Sequence, residues 1–352
     1  LSWFIQNLII AGHQFTRMSH LFVLNWHIAI FTGLKRLTLI ALFCLSQNVR
    51  AQQYPFWTQY RSNLFMLNPA VAGTRQNIDA RLSYRNQWVG FEGAPKTMGA
   101  SFHMKLYKNK MGIGGFVFKD QIGPFKTLTS ALAYAFKIKF DDMALSFGLS
   151  GNYNMQSANT EAMTYQNSQD LAISNVSAQQ KARNYNGAAG ILMYNDRFYI
   201  SASINNLLGS SYTYYKKEAA NKKGVIQTVS HFCVSLGYNY SANPDYVWEN
   251  STAVILVTGT PILFDYNLRL NIKKALLVGG GIRLGTALVG QVGWTFKDFA
   301  QVSYSYDLNT NRLRGTNQGS HEIKIVYFHS KFHAEHHKGA KEFQKQKFQY
   351  IL

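Results

Sequence analysis

Leu128-Thr129-Ser130-Ala131-Leu132-Ala133-Tyr134-Ala135-Phe136-Lys137-Ile138-Lys139-Phe140 changes character at nearly every step. In an extended chain, Leu128, Ser130, Leu132, Tyr134, Phe136, Ile138 and Phe140 share one face, and Thr129, Ala131, Ala133, Ala135, Lys137 and Lys139 share the other. The same alternation returns in residues 262–273, where Ile262, Phe264, Tyr266, Leu268, Leu270 and Ile272 oppose Leu263, Asp265, Asn267, Arg269, Asn271 and Lys273. It returns again in 232–240 and 301–308. Each such segment is long enough to cross a bilayer as a tilted strand, which takes about 9–11 residues.

Energy fixes which face meets what. A Lys or Arg facing lipid at mid-membrane costs roughly 2–4 kcal/mol. A one-residue slip in 262–273 would put Asp265, Arg269 and Lys273 into lipid, so the polar faces point inward. Arg81, Arg85, Lys137, Lys139, Asp265 and Arg269 are the lumen-facing candidates on this reasoning. A soluble β-sandwich or propeller would reverse the arrangement, with apolar residues between sheets and charges outside.

Composition agrees with a sheet wetted on one side and greased on the other. Charged residues make up only 15% of the chain, against about 25% in soluble proteins. Aromatics reach 14%, with 21 Tyr and 24 Phe, and there are 27 Gly. The formal charge is +19, but the cations sit singly in strands, at turns and in a C-terminal tail. That scatter argues against nucleic-acid binding, which needs a basic patch or stripe, and favours acidic lipid headgroups or an acidic protein partner.

The N-terminus reads as an address. Lys35 and Arg36 precede the apolar run 37–45, and Val49-Arg50-Ala51 supplies small residues at −3 and −1 of a cut after Ala51. Residues 34–51 are therefore expected to be a signal peptide. Residues 1–33 read as an over-extended start, with translation beginning nearer Met18 or Leu34; a membrane anchor from residues 21–45 is the alternative. Removal of residues 1–51 takes four basic and no acidic residues, leaving 32 − 17 = +15. After it, residues 52–74 read as a periplasmic or plug segment, 75–330 as the barrel and 331–352 as a basic periplasmic tail.

The expected fold is all-β: a transmembrane outer-membrane β-barrel of about 14 antiparallel strands. The strands are placed near 75–89, 96–107, 110–121, 126–140, 142–156, 183–195, 197–206, 225–240, 251–260, 261–273, 274–285, 286–297, 298–309 and 319–329. An even number suits bacterial barrels. Connections at 108–110, 141–142, 195–196 and 297–298 are tight. Those at 157–182, 207–224 and 241–250 are long and expected to face outward, which would leave both chain ends in the periplasm.

No motif carries catalytic chemistry. Gly279-Gly280-Gly281 with Gly285 lacks the spacing of a phosphate loop and lies in an alternating strand, where close packing explains it. His103 and His231 are hydrolase candidates only as imidazoles, without a G-x-S-x-G. His333, His336 and His337 beside Glu335 read as a solvated tail rather than a metal site. Cys233 would be alone after signal removal, so neither a disulfide nor a Cys-ligated zinc is available. No enzyme, cofactor or metal is expected.

The segment before the first strand contains Leu67-Asn68-Pro69-Ala70-Val71-Ala72-Gly73. Tyr84-Arg85-Asn86-Gln87-Trp88, Gly93-Ala94-Pro95-Lys96-Thr97, Gly123-Pro124 and a closing Gly319-Ser320-His321-Glu322-Ile323 follow. In combination these resemble the PorP/SprF family of the type IX secretion system of Bacteroidetes over most of 52–328. Asn205-Asn206-Leu207 departs from a Pro-Asn-Leu common in that family. The resemblance implies a non-enzymatic outer-membrane barrel working with the type IX machinery. Members are linked to export or attachment of large adhesins through the cargo's C-terminal domain, some to gliding, others to the periplasmic part of the motor. The expected partners are thus a cargo C-terminal domain, other type IX components and outer-membrane lipid. Residues 54–74, rich in aromatics and broken by Pro55, Pro69 and Gly73, cannot be a strand; entering the lumen as a plug, they would face Arg81, Arg85 and Gln87, with Trp88 on the lipid side.

Overall fold

A computed structural model describes residues 55–75, 78–106, 110–159, 179–213, 225–243, 245–296 and 299–329. The expected signal peptide, the stretch before it and the C-terminal tail lie outside these residues. The described strands are β1 (Ile78–Asn86), β2 (Lys96–Leu106), β3 (Met111–Ile122), β4 (Phe125–Phe140), β5 (Met143–Asn159), β6 (Gln179–Tyr194), β7 (Phe198–Asn205), β8 (Ser211–Thr213), β9 (Val225–Gln227), β10 (His231–Asn243), β11 (Tyr246–Val257), β12 (Leu263–Ile272), β13 (Leu276–Arg283), β14 (Ala287–Phe296), β15 (Ala300–Asn309) and β16 (Ser320–His329). All but β8 and β9 join one closed antiparallel barrel of fourteen strands, sealed by β1 against β16. Closure leaves no open edge strand, so the backbone polar groups of the membrane-crossing wall are satisfied within it, as hydrocarbon surroundings demand; the far half of β6, before Ala188, has no β7 partner.

Burial is inverted relative to a soluble protein. Leu132 is 78% and Leu149 64% exposed, whereas Asp265 and Glu322 are 0% exposed. The apolar face is outside and the charged face inside, which excludes the sandwich alternative. Along β4, Leu132, Tyr134, Phe136 and Ile138 face out while Ala131, Ala133, Ala135 and Lys137 are buried.

The two barrel ends differ. At the end where Ile78 pairs with His329, here the near end, strands are joined by two to four residues (107–110, 141–142, 195–197, 244–245, 273–275, 297–299). Lys273 and Lys274 hold positive φ of 49° and 57°, the paired left-handed conformation that matches the twist of a tight hairpin. Longer connections, 87–95, 160–178, 206–230 and 310–319, lie at the far end. Outer-membrane barrels keep short turns in the periplasm and long loops outside, so the near end is periplasmic and the far end faces out.

Two expectations from the alternation are corrected. Residues 225–240 are not one strand: β9 pairs with β8 in a separate hairpin, and β10 starts at His231. The break falls where Thr228 turns its amide and hydroxyl to the Ser210 carbonyl, 18 residues earlier, a bond that periodicity does not register. Residues 241–250 are not a long outward loop. Asn243 pairs with Tyr246, so the turn is tight and at the near end, and 246–250 is strand. Of the polar residues there, Asn243 and Asp245 are exposed at the turn while Glu249 is buried towards the lumen.

A lumen filled by its own N-terminal segment

Residues 56–72 are buried within the barrel throughout. The segment forms two 3-10 turns, Tyr60–Met66 and Pro69–Val71, and its apolar side chains make the core with small inward wall residues such as Ala131, Ala133, Ala135, Cys233 and Ala253. It runs across the membrane's thickness. Phe56 lies under the Arg283 guanidinium, 5.0 Å from ring to charge, and Thr58 meets Asp307 and Glu322; these partners sit at the far ends of their strands. Gly73, at the other end, lies against Met104, Lys105 and Gly112 near the periplasmic turns. The wholly periplasmic alternative for residues 52–74 therefore does not describe 55–58, which lie in the outward half.

The segment's own polar groups are matched by the wall. The Thr58 and Gln59 amides donate to Glu322 (2.7 and 3.2 Å), and Lys324 donates to the Gln59 carbonyl (2.6 Å). The Ser62 carbonyl accepts from Arg81 and its hydroxyl from Arg269 (2.8 Å). Ser203 and Asn205 donate to the Leu67 carbonyl (2.7 and 3.0 Å). Asn68 both caps its own turn, accepting from the Ala70 amide (2.8 Å), and donates to Ser201 and the Ile191 carbonyl (2.9 and 3.0 Å). Pro69 opens that turn, where its missing N–H costs nothing.

Buried ion pairs knit wall and segment together. Arg85 bridges Asp307 (2.6 Å) and Glu322 (3.3 Å) while donating to the Thr58 hydroxyl (2.5 Å). Arg283 joins Asp265 (2.8 Å) and Asp307 (3.0 Å). Arg269 and the segment's Arg61 share Glu249 (2.5 and 3.4 Å). Arg81 grips Asp79 through two bonds (2.6 and 2.8 Å). Lys137 donates to the Gly73 carbonyl. Lys139 has the same parity but lies at the strand end and is exposed, outside the packed lumen.

Glycines mark the path of the segment along the wall. An added Cβ at Gly148 would come closer than 3.0 Å to Pro69 and Ala70 backbone, at Gly114 within 2.7 Å of the Phe65 ring, and at Gly237 within 2.5 Å of Arg61. Gly190 leaves room for the Asn68 amide in the same way. Gly279 and Gly281 make space for the Arg269 and Asn267 side chains of β12; this is the packing role the strand context suggested. The inward carboxylates Asp79, Glu249 and Asp307, and the cations Arg61, Arg283 and Lys324, were not singled out from sequence. Their signal was available: each strand member has the parity of a lumen position.

The remaining motif residues build the far rim. Trp88 takes a positive φ of 48° and donates its amide to Ser320 (3.2 Å), and the Val89 amide donates to the Gly319 carbonyl (2.9 Å). The turn 87–95 is thus tied to the start of β16. Gly319 holds φ 82°, and a Cβ there would meet the Tyr306 hydroxyl at 2.6 Å. Pro95 is buried and its carbonyl accepts from Gln87 (2.9 Å). Gly123 (φ 53°) donates to Gly93 (2.8 Å), and Pro124 accepts from Asn159 (2.9 Å). Tyr84, Lys96 and His321 face outward, His321 accepting or donating at 2.6 Å with the Tyr304 hydroxyl; Glu322, its neighbour, faces in. His103 and His231 sit on β2 and β10, nearly opposite in the ring, so they form no common site. Among the described residues no group of His, Cys, Asp and Glu is arranged to hold a metal.

Residues 49–327 match the family described as type IX secretion system membrane protein PorP/SprF. The chain belongs to the PorP/SprF family. Comparison with curated proteins finds no match. Among solved structures, this PorP/SprF protein is similar to a Pseudomonas aeruginosa FadL homologue (9% identity, 78% of this chain and 94% of that one, TM-score 0.42). It is also similar to the Acinetobacter baumannii outer membrane protein Omp33 (8%, 73% and 100%, 0.42) and to the TodX deltaS2S3 mutant monoaromatic hydrocarbon channel (9%, 80% and 97%, 0.43). The PorP/SprF chain is an outer-membrane β-barrel.

Proposed function

We propose that this protein is a non-enzymatic, non-conducting docking barrel: it holds a secreted surface protein by that protein's C-terminal domain at the far mouth and links it to type IX components at the near end. The observation that carries the reading is the occupied lumen. Residues 56–72 are buried across the barrel and bonded to the wall at both ends. Inward charges that would select ions in a pore, Arg85, Asp265, Arg269, Arg283 and Asp307 among them, are instead in ion pairs. A barrel filled in this way offers surfaces rather than a path, and the larger surface is at the far end. There β4, β5 and β6, of 16, 17 and 16 residues, outrun the other strands, and the β7–β10 connection folds into the β8–β9 hairpin against β6. Exposed Leu207 and Leu208 lie at the root of that hairpin.

Affinity purification of the tagged barrel from native outer membrane, followed by mass spectrometry, tests the reading. A large secreted protein bearing a type IX C-terminal domain is expected among the partners, and lost when residues 207–224 are deleted. Recovery of the same cargo after deletion of both 207–224 and 160–178 would overturn docking at the far mouth. Steady open steps in planar bilayers would instead establish the rival reading, a diffusion channel with a basic lumen.

A further inference from the structure

The strand register sorts the outward residues of β2–β6 into rows perpendicular to the strands, which climb outward towards β6 as the strands tilt. Lys96 pairs with Gln121, Gln121 with Lys126, Lys126 with Ser157 and Ser157 with Lys181. One step towards the membrane centre, Met98, Lys119, Leu128, Met155 and Arg183 form the next row by the same pairings. Five cations therefore occupy two adjacent rows at the far rim, spanning five strands or about 19 Å at ~4.8 Å per strand. Among the described strands they are the outward-facing cations, and no carboxylate faces outward on β1–β6. None of the five has a carboxylate within ion-pair distance among the described residues; Glu92, in the 87–95 turn, makes no such pair with them.

The rows begin at the outward edge of the apolar band and climb away from it towards β6. Below them come Ser130 with Tyr153 and Tyr185, whose rings lie 5.5 Å apart, and then uninterrupted apolar residues to Phe140. Ser130 to Phe140 is ten steps along β4, about 34 Å along the strand and about 25 Å of height at a ~40° tilt, the thickness of the apolar band of such barrels. Charges at this edge cost only about 0–1 kcal/mol.

Directly under the cations the outer surface is hollow. A groove of about 1210 Å³ runs across the outer surface from Ile325 of β16 past Leu82, Ala100 and Gly115 to Leu132 and Gly151. A concentrated positive charge on the outward side of an apolar groove, starting where phosphate meets acyl chain and reaching outward from there, is complementary to one kind of occupant. We propose that the outward rim of β2–β6 binds a phosphate-bearing lipid of the outer leaflet, with its phosphates on Lys96, Lys119, Lys126, Lys181 and Arg183 and an acyl chain in the groove beneath. Phosphate receives charge-assisted bonds from this fork of side chains, and the groove lets the chain approach the wall closely. A zwitterionic lipid would satisfy the groove and not the rows.

Native mass spectrometry of the full barrel, titrated with synthetic bisphosphorylated lipid A or with phosphatidylethanolamine, tests this. Lipid A is expected to bind with at least tenfold preference. K96Q/K119Q/K126Q is expected to weaken it about a hundredfold, at roughly 1 kcal/mol per cation. K110Q/K273Q/K274Q, which removes the same charge at the near end, should leave it unchanged. A100L/S130L, which fills the groove and touches no charge, should weaken it severalfold; both triple variants and the groove variant are checked for a heat-modifiable fold. Equal loss in the two triples, no loss in the first, or binding of inorganic phosphate alone as tight as that of lipid A would refute the assignment.

Discussion

Gly148→Ala is the smallest change that challenges the filled lumen. Gly148 lies on the inward face of β5, opposite Gly190, and the second turn of the segment passes over it. A methyl there would lie 2.5 Å from the Ala70 Cα and closer still to Pro69 and Ala70 backbone atoms, where ordinary contact begins at about 3.4 Å. The obstruction is main chain, so no rotamer relieves it; the turn must retreat by about 1 Å. That retreat strains the bond from Ser146 to the Ala70 carbonyl (2.7 Å) and the Asn68 contacts. Overpacking costs about 1–3 kcal/mol, and each weakened hydrogen bond about 1 kcal/mol. Against these stands a gain of about 0.5–1 kcal/mol from replacing a strand glycine. The net expectation is destabilisation of about 1–4 kcal/mol, read as a lower urea midpoint in detergent and faster proteolysis within 55–75. Gly151→Ala and Gly290→Ala, whose Cβ atoms would meet nothing within 4 Å, control for strand propensity and should be neutral or slightly stabilising. Equal midpoints for Gly148→Ala and Gly151→Ala would refute the packing of the segment on this wall.

Asp307→Asn leaves Arg85 and Arg283 without a shared carboxylate inside the barrel and should cost about 3–5 kcal/mol, measured by urea unfolding. Deletion of 55–75 should convert a silent barrel into one with steady conductance in planar bilayers; continued silence would mean that the segment is not what closes the lumen. Leu132→Arg places a charge in mid-membrane and should cost about 2–4 kcal/mol in lipid vesicles, whereas Leu207→Arg, beyond the membrane, should cost little; similar losses would contradict the register.

Alternation made the wall legible because the bilayer enforces it on every crossing residue. Slipping 262–273 by one would have put Asp265 and Arg269 in lipid, and no loop chemistry competes with a penalty of that size. Thr228, Val229 and Ser230 were not legible in the same way. They alternate acceptably, and only the Ser210 carbonyl, far in sequence, breaks the strand there. The long loop expected at 241–250 has the opposite origin: Glu249 reads as loop because a polar residue in a strand looks the same whether it meets water or a filled lumen, and the exposed Asn243 and Asp245 beside it belong to a tight turn. The segment was readable as a non-strand from its prolines and aromatics, but its path was not. That path is written in Gly148, Gly190 and Gly237, and a glycine's reason for being small is visible only once its neighbour is in place.

A barrel made to conduct keeps its inward charges wet, since hydration is what lets an ion pass them. In this lumen Asp79, Glu249, Asp265, Asp307 and Glu322 each meet at least one cation, and all five are buried. Such pairs add little net stability over apolar packing, but breaking one is costly. Their effect is therefore on uniqueness: Arg85, Arg61 and Lys324 fit Thr58, Glu249 and Gln59 in one register of the segment and no other. A segment held so specifically transmits position. Its outward end lies under Arg283 at the far mouth and its inward end at Gly73 beside the periplasmic turns, so the two faces of the barrel are joined by one short chain bonded along its length. A docking barrel that must resist pull on a surface protein has use for that connection, whereas a diffusion channel would gain nothing from it.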